Sequence, residues 1–141
     1  MGRKVAIYDT TLRDGTQSEG VSFSTEDKLD ITRRLDQFGM DYIEGGWPGS
    51  NPKDQAFFEA ASRMRFEHAR LVAFGSTRKA SAKASEDANL RALVESKAPC
   101  VAVFGKSWDH HVKNALKVAL EDNLEMIADS VAYLKDHGLE V

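Results

Sequence analysis

Val5-Ala6-Ile7-Tyr8 passes without a break into Asp9-Thr10-Thr11-Leu12-Arg13-Asp14-Gly15-Thr16-Gln17. A short β-prone apolar run thus opens onto a loop carrying two carboxylates, an arginine, three threonines and an amide. In parallel α/β proteins, ligand-handling groups gather beyond the carboxyl ends of the strands, and this loop occupies such a place. Outward from it, similar runs recur at Tyr42-Ile43, Leu71-Val72-Ala73-Phe74 and Val101-Ala102-Val103-Phe104, and another begins at Leu139. None alternates cleanly between apolar and polar residues, which predicts parallel strands covered on both faces.

Helical spacing fills the intervals. Ser24-Thr25-Glu26-Asp27 reads as a capping box, Leu29, Ile31, Leu35 and Phe38 as the apolar stripe behind it, and Gly39 as its C-terminal cap. Pro52 is placed to open a second helix carrying Ala56, Phe57, Ala60, Ala61 and Met64. A third is predicted from about Glu86 to Ser96 through Leu90, Leu93 and Val94. Val112, Leu116, Leu120, Leu124, Ile127, Val131 and Leu134 then step by three or four up to Gly138. Glu121-Asp122-Asn123 leaves open whether that stretch is one helix or two.

Alternation of strand and helix predicts a parallel α/β fold. The strand starts at residues 5, 42, 71, 101 and 139 are separated by 37, 29, 30 and 38, a mean of about 33.5. Two architectures use such a unit. A five-stranded doubly wound sheet needs a complete fifth strand and a final helix. An eight-fold (β/α)8 TIM barrel needs roughly 250 residues, and four βα units are half of one. Residues 1–141 are therefore expected to be the N-terminal portion of a single TIM-barrel domain, its N-terminal half, truncated before the remaining strands.

Composition narrows the function classes. The 141 residues are 42% hydrophobic and 29% charged, with 19 basic against 22 acidic side chains and a formal net charge of −3. A packed core is expected, whereas nucleic acid and membrane surfaces, which select a basic surplus, are not expected partners. No apolar run approaches the ~20 residues that span a bilayer. Met1-Gly2-Arg3-Lys4 leads into only a short apolar stretch, so no secretory signal is expected. The single cysteine, Cys100, fits a reducing cytoplasm and reads as a buried small hydrophobe.

In the first loop, a carboxylate is a hard oxygen donor suited to a divalent cation. An arginine beside it can bind a substrate carboxylate or a developing oxyanion. The bland alternative has Asp9 and Thr10 capping turns, with Arg13 and Asp14 forming a surface pair. Ser76-Thr77-Arg78 and Lys106-Ser107 follow strands at the same mouth and could meet an anionic ligand or merely cap and solvate. Phe74, Phe104, Trp47 and Trp108 could shape a pocket or simply pack. Adjacent His110 and His111 diverge by about 100° on a helix, which favours a polar helix start over metal ligation.

Leu12-Arg13-Asp14-Gly15-x-Gln17 followed by ten residues and Lys28, preceded by Asp9-Thr10-Thr11, resembles the signature of the isopropylmalate, homocitrate and citramalate synthases. These belong to the metal-dependent lyase-type TIM-barrel family that includes hydroxymethylglutaryl-CoA lyase. Ile43-Glu44-Gly45-Gly46-Trp47-Pro48 resembles the family's second-strand motif, and the likeness extends over essentially the whole chain. Glu44-Gly45-Gly46-Trp47-Pro48-Gly49-Ser50-Asn51-Pro52-Lys53-Asp54 and Phe104-Gly105-Lys106-Ser107-Trp108-Asp109 are most similar to its citramalate synthase branch.

The resemblance implies roles. Asp14 is similar to the strand-one metal ligand, for magnesium, manganese or zinc. Arg13 resembles the catalytic, substrate-binding arginine that steadies the enolate and keto-acid oxygens. Glu44 resembles the acid that holds this arginine, and Gln17 a substrate-side amide. The implied reaction condenses acetyl-CoA with a 2-oxo acid, pyruvate giving citramalate, in a cytoplasmic homo-oligomer. Its alternatives are 2-isopropylmalate synthesis from 2-oxoisovalerate and a non-catalytic five-stranded module. The family's remaining metal ligands form a His-x-His pair; His68, His110, His111 and His137 form none, so the fragment alone is expected to be inactive.

Overall fold

The computed structural model describes residues 5–141. Residues 1–4, on which the expectation about a secretory signal partly rests, lie outside the described residues. Four parallel strands, β1 (Tyr8–Asp9), β2 (Tyr42–Gly46), β3 (Arg70–Ser76) and β4 (Cys100–Phe104), lie in the order β1-β2-β3-β4. Glu140 adds one parallel bridge to Cys100, on the far side of β4 from β3. The strand order never doubles back. A doubly wound sheet reverses direction at a switch point and places helices on both faces. Here Ile43, Leu71, Ala73 and Val101 face a core with Phe57, Phe58, Leu90, Leu93 and Leu134, all on one side. The alternate residues Tyr8, Tyr42, Val72, Cys100 and Ala102 line an open hollow on the other. Helices cover one face, and the other is the concave interior of half a (β/α)8 barrel, where Val72, Cys100 and Glu44 are buried.

The helices are α1 (Thr25–Phe38), α2 (Pro52–Ala61), α3 (Ala88–Glu95), α4 (Asp109–His111) and α5 (Leu120–Asp136). Ser24 and Asp27 form the reciprocal capping box of α1, and Gly39 closes it in the left-handed region at φ 92°. Asn51 caps α2 ahead of Pro52, and Asp87 caps α3 through the amides of Asn89 and Leu90. α2 stops before Met64, and α3 is shorter than its apolar spacing suggested. The long C-terminal stretch is divided, but ahead of Glu121: a π turn at Val112–Leu116 ends at Lys117, which has φ 59°. Asp122 then starts α5 by accepting from the Ala119 amide at 3.2 Å.

Phe57, Phe58, Leu90, Leu93 and Leu134 are at most 1% exposed. Each contributes about 2 kcal/mol by burial, whereas an exposed pair such as Arg63–Glu59 at 3.6 Å contributes roughly 0–1 kcal/mol. The helix–sheet layer therefore holds the fold. Among the described residues, no helix is long and apolar enough to cross a membrane.

Candidate active site

The loop after β1 is built around one carbonyl. Thr10 O accepts from the amides of Arg13, Asp14 and Gly15 at 3.1, 2.9 and 3.1 Å. Asp9 accepts from the Thr11 amide and hydroxyl, both at 3.0 Å, and so serves the turn. Leu12 is fully buried and anchors the bend. Arg13 and Asp14 are thereby carried to the carboxyl end of the sheet.

There Arg13 meets Glu44 of β2. Arg13 Nε donates to Glu44 Oε1, and Tyr8 donates its phenol proton to Glu44 Oε2 at 2.6 Å. A carboxylate as buried as Glu44 needs such partners, since an uncompensated buried charge is costly. The guanidinium lies 4.1 Å above the Phe74 ring, and its Nη1 donates to Asp14 Oδ1 at 2.9 Å. Nη2 has no hydrogen-bond partner among the described residues. Burial first, then the hydrogen bond to Glu44 and its charge, hold the Tyr8 phenol well above the ordinary tyrosine value. The arginine is clamped by edge and face with one nitrogen uncommitted, an arrangement that can hold an oxyanion or a carboxylate.

Asp14 is largely exposed, and its Oδ2 makes no hydrogen bond among the described residues, so it can offer an oxygen to a cation. Among the described residues no three histidine, cysteine, aspartate or glutamate side chains are grouped to hold a metal. The chain thus fits a divalent ion as the source of one ligand and does not complete its shell. Gln17 ends a short 3-10 turn, Gly15–Gln17, and is exposed, its side-chain amide making no hydrogen bond among the described residues. Arg13, Asp14 and Glu44 are brought together; Gln17 joins them through its backbone, whose N–H donates to the Asp14 carbonyl at 3.0 Å.

A bulge between Glu44 and Gly46 ends β2 and turns the chain toward Trp47. Gly46, at φ 145°, leaves no room for a side chain, because a Cβ there would stand 2.5 Å from the Asp54 carboxyl carbon. Asp54 accepts from the Trp47 amide at 2.9 Å and from Lys28 Nζ at 2.6 Å; Lys28 also donates to Gly45 O at 2.8 Å. Trp47 packs edge-on against Phe74 and Phe104, its indole N–H donating to Asn89 Oδ1 at 2.6 Å. The aromatic residues therefore form a packed floor under Arg13.

Other candidates are engaged elsewhere. Arg78 is spent on Asp129 at 2.7 Å and on the Ala82 carbonyl at 3.2 Å. His110 and His111 begin α4 against the exposed Trp108, as a polar helix start does. Cys100 is buried and hydrogen-bonded: its thiol donates to Glu140 Oε2 at 3.3 Å, while Tyr42 donates to Oε1 at 2.8 Å and Arg70 pairs with the same carboxylate. Sequence reasoning missed Tyr8 as a partner of the site, because its hydrogen-bonding end finds Glu44 only after two strands pair 36 residues apart. A tyrosine ending a strand just before the charged loop was the available signal.

The family model described as HMGL-like matches residues 4–141. This chain belongs to the HMGL-like family. Within it, the chain is 57% identical over 141 residues to the (R)-citramalate synthase of Aquifex aeolicus, covering all of this chain and 27% of that protein. It is 38% identical over 141 residues to a probable 2-isopropylmalate synthase of Methanopyrus kandleri, covering 26% of it. The chain thus spans about a quarter of the length of these curated relatives. Among solved structures, the Bacillus subtilis HMG-CoA lyase superposes with a TM-score of 0.69 at 21% identity. That match covers 98% of this chain and 45% of the lyase, the share expected of half a barrel. In this HMGL-like half barrel, the Arg13 loop and Glu44 lie at the carboxyl ends of the first two strands.

Proposed function

We propose that the protein containing this chain is a citramalate synthase, condensing acetyl-CoA with pyruvate and hydrolysing the resulting thioester with water to give (R)-citramalate and CoA. The 57% identity over the whole chain to a curated (R)-citramalate synthase carries the reading. The clamped guanidinium of Arg13 agrees with it chemically. Deprotonation of the acetyl methyl group creates an enolate, and its attack creates an alkoxide; both are transient oxyanions that a preorganised arginine stabilises. Arg13 would hold the 2-oxo acid oxygens through Nη2, which has no hydrogen-bond partner among the described residues. Glu44 would fix the guanidinium plane. Gln17 would donate its amide from the substrate side.

Asp14 would give one oxygen to a divalent cation, magnesium, manganese or zinc, whose Lewis acidity polarises the 2-oxo carbonyl. The remaining ligands and the general base would come from beyond these 141 residues, within the same catalytic domain. This chain alone is therefore inactive in condensation. A cytoplasmic homo-oligomer completes the reading.

The test is CoA release by the full-length protein with acetyl-CoA and either pyruvate or 2-oxoisovalerate. Turnover with pyruvate at least tenfold faster is expected. Preference for 2-oxoisovalerate would move the assignment to 2-isopropylmalate synthesis, and cleavage without condensation would discard both.

A further inference from the structure

We infer that Tyr8 is a positioning residue for the candidate site, acting on Arg13 through Glu44. The inference rests on the functional reading of Arg13 above and extends it by one residue.

Three observations carry it. First, Glu44 divides its two oxygens: Oε1 accepts from Arg13 Nε and Oε2 from the Tyr8 phenol at 2.6 Å. A carboxylate held at one oxygen still pivots about its last bond; held at both, it presents a fixed plane to the guanidinium. Second, Arg13 has an alternative partner in Asp14, whose oxygen already takes Nη1 at 2.9 Å and whose carboxylate is exposed. If Glu44 turns, Arg13 can slide toward Asp14 and off the Phe74 ring that it now covers at 4.1 Å. Third, Tyr8 is placed independently of the bond it makes. Its ring stacks on Tyr42 with centroids 5.9 Å apart, and its residue pairs with Tyr42 in the β1–β2 ladder. The phenol therefore reaches Glu44 from a fixed base. Strand β1 thus contributes twice to the site: through the loop it launches, and through its last aromatic residue acting from beneath.

The experiment is a double-mutant cycle in the full-length enzyme with Tyr8→Phe, Glu44→Gln and the double variant. Tyr8→Phe keeps the ring and removes only the donor. We expect kcat to fall about tenfold, the KM for acetyl-CoA to stay within twofold, and the melting temperature to shift by no more than about 2 °C. In the Glu44→Gln background, Tyr8→Phe should change kcat by less than twofold, since the residue through which it acts is already altered. Tyr8→Phe with wild-type kcat would overturn the inference, as would an equal loss in both backgrounds. A large drop in melting temperature with unchanged kcat, measured below the transition, would assign Tyr8 to packing alone. Arg13→Lys run in parallel separates the levels. Full activity there defeats the functional reading itself, whereas a severe loss beside an unaffected Tyr8→Phe defeats only the role of Tyr8.

Discussion

Arg13–Glu44 and Lys28–Asp54 are both cation–carboxylate pairs, and both cations belong to the same sequence signature, yet their surroundings oppose each other. Lys28 is shut in. Its ammonium is shared between Asp54 and Gly45 O, lies 5.2 Å from the Phe57 ring centre, and joins α1 to the turn between β2 and α2. Arg13 is held just as firmly on its Glu44 side but opens on the other, where Nη2 has no hydrogen-bond partner among the described residues. A closed pair does structural work; an open pair has a donor to lend. Under the proposed function, two residues of one motif thus divide between architecture and chemistry, and the geometry of their unused atoms tells them apart.

The contrast can be broken most sharply at the open pair. Arg13→Lys keeps the charge but loses the planar fork. It should cost the full-length enzyme about a thousandfold or more in kcat/KM, ~4 kcal/mol of transition-state stabilisation, with the urea midpoint unchanged. A matching loss of stability would erase the distinction. Lys28→Met should do the opposite, destabilising by roughly 3–4 kcal/mol because Asp54 is left buried without its cation. Urea denaturation measures it, and a neutral result would mean that Asp54 finds other donors.

Asp36 sharpens the same distinction without a cation. Its carboxylate accepts from the amides of Glu67, His68 and Ala69 at 2.9, 2.9 and 2.7 Å, tying the end of α1 to the start of β3. Burial pushes its pKa up, but the three donors outweigh that and hold it below the usual aspartate value. Asp36→Ala should cost about 2 kcal/mol by stranding those amides. The wild-type contribution should be full above the unfolded aspartate pKa and vanish as pH falls through the lower folded one. Acid titration of the unfolding free energy, wild type against variant, checks the sign.

The smallest effect concerns Cys100, whose thiol is pushed up to about 11 by burial and by its bond to Glu140, with Arg70 pulling the other way. Alkylation of the Cys100 peptide, followed by mass spectrometry, should accelerate with pH through about 11 rather than 9. Glu140→Gln should bring that midpoint down. Because the folded thiol keeps its proton longer, its contribution to stability declines as pH rises from about 9 toward 11.

The repeating βα pattern was legible because each unit carries its own local instructions: Ser24 and Gly39 around α1, Pro52 at α2, Gly138 after α5. Strand limits were less legible, since pairing partners set them; among the described residues β1 spans Tyr8–Asp9, with Ile7 O accepting from the Tyr42 amide at 3.1 Å, although the apolar run starts at Val5. The break at Lys117 is a left-handed residue with no glycine to announce it. At the site, Arg13 and Asp14 could be picked out from loop chemistry. The meetings of Arg13 with Phe74 and of Tyr8 with Glu44 join separate strands, and no local pattern encodes them. Lys28 was visible in the signature, but its structural task was not.

Glu140 bears on the order in which this sheet assembles. Neighbouring strands join residues about 30 apart, so each βα unit can be added to the last by closing a modest loop. The bond from Tyr42 to Glu140 instead closes 98 residues, reaching from the fifth strand position to the second. Loop entropy grows only logarithmically, by about 0.6 kcal/mol per doubling, so the longer closure adds roughly 1 kcal/mol, which a hydrogen-bonded carboxylate can offset. Contacts of such separation form after the local ones are in place. Glu140 is therefore a long-range tie between the second strand and the fifth strand position, expected to close after the neighbouring strands have paired.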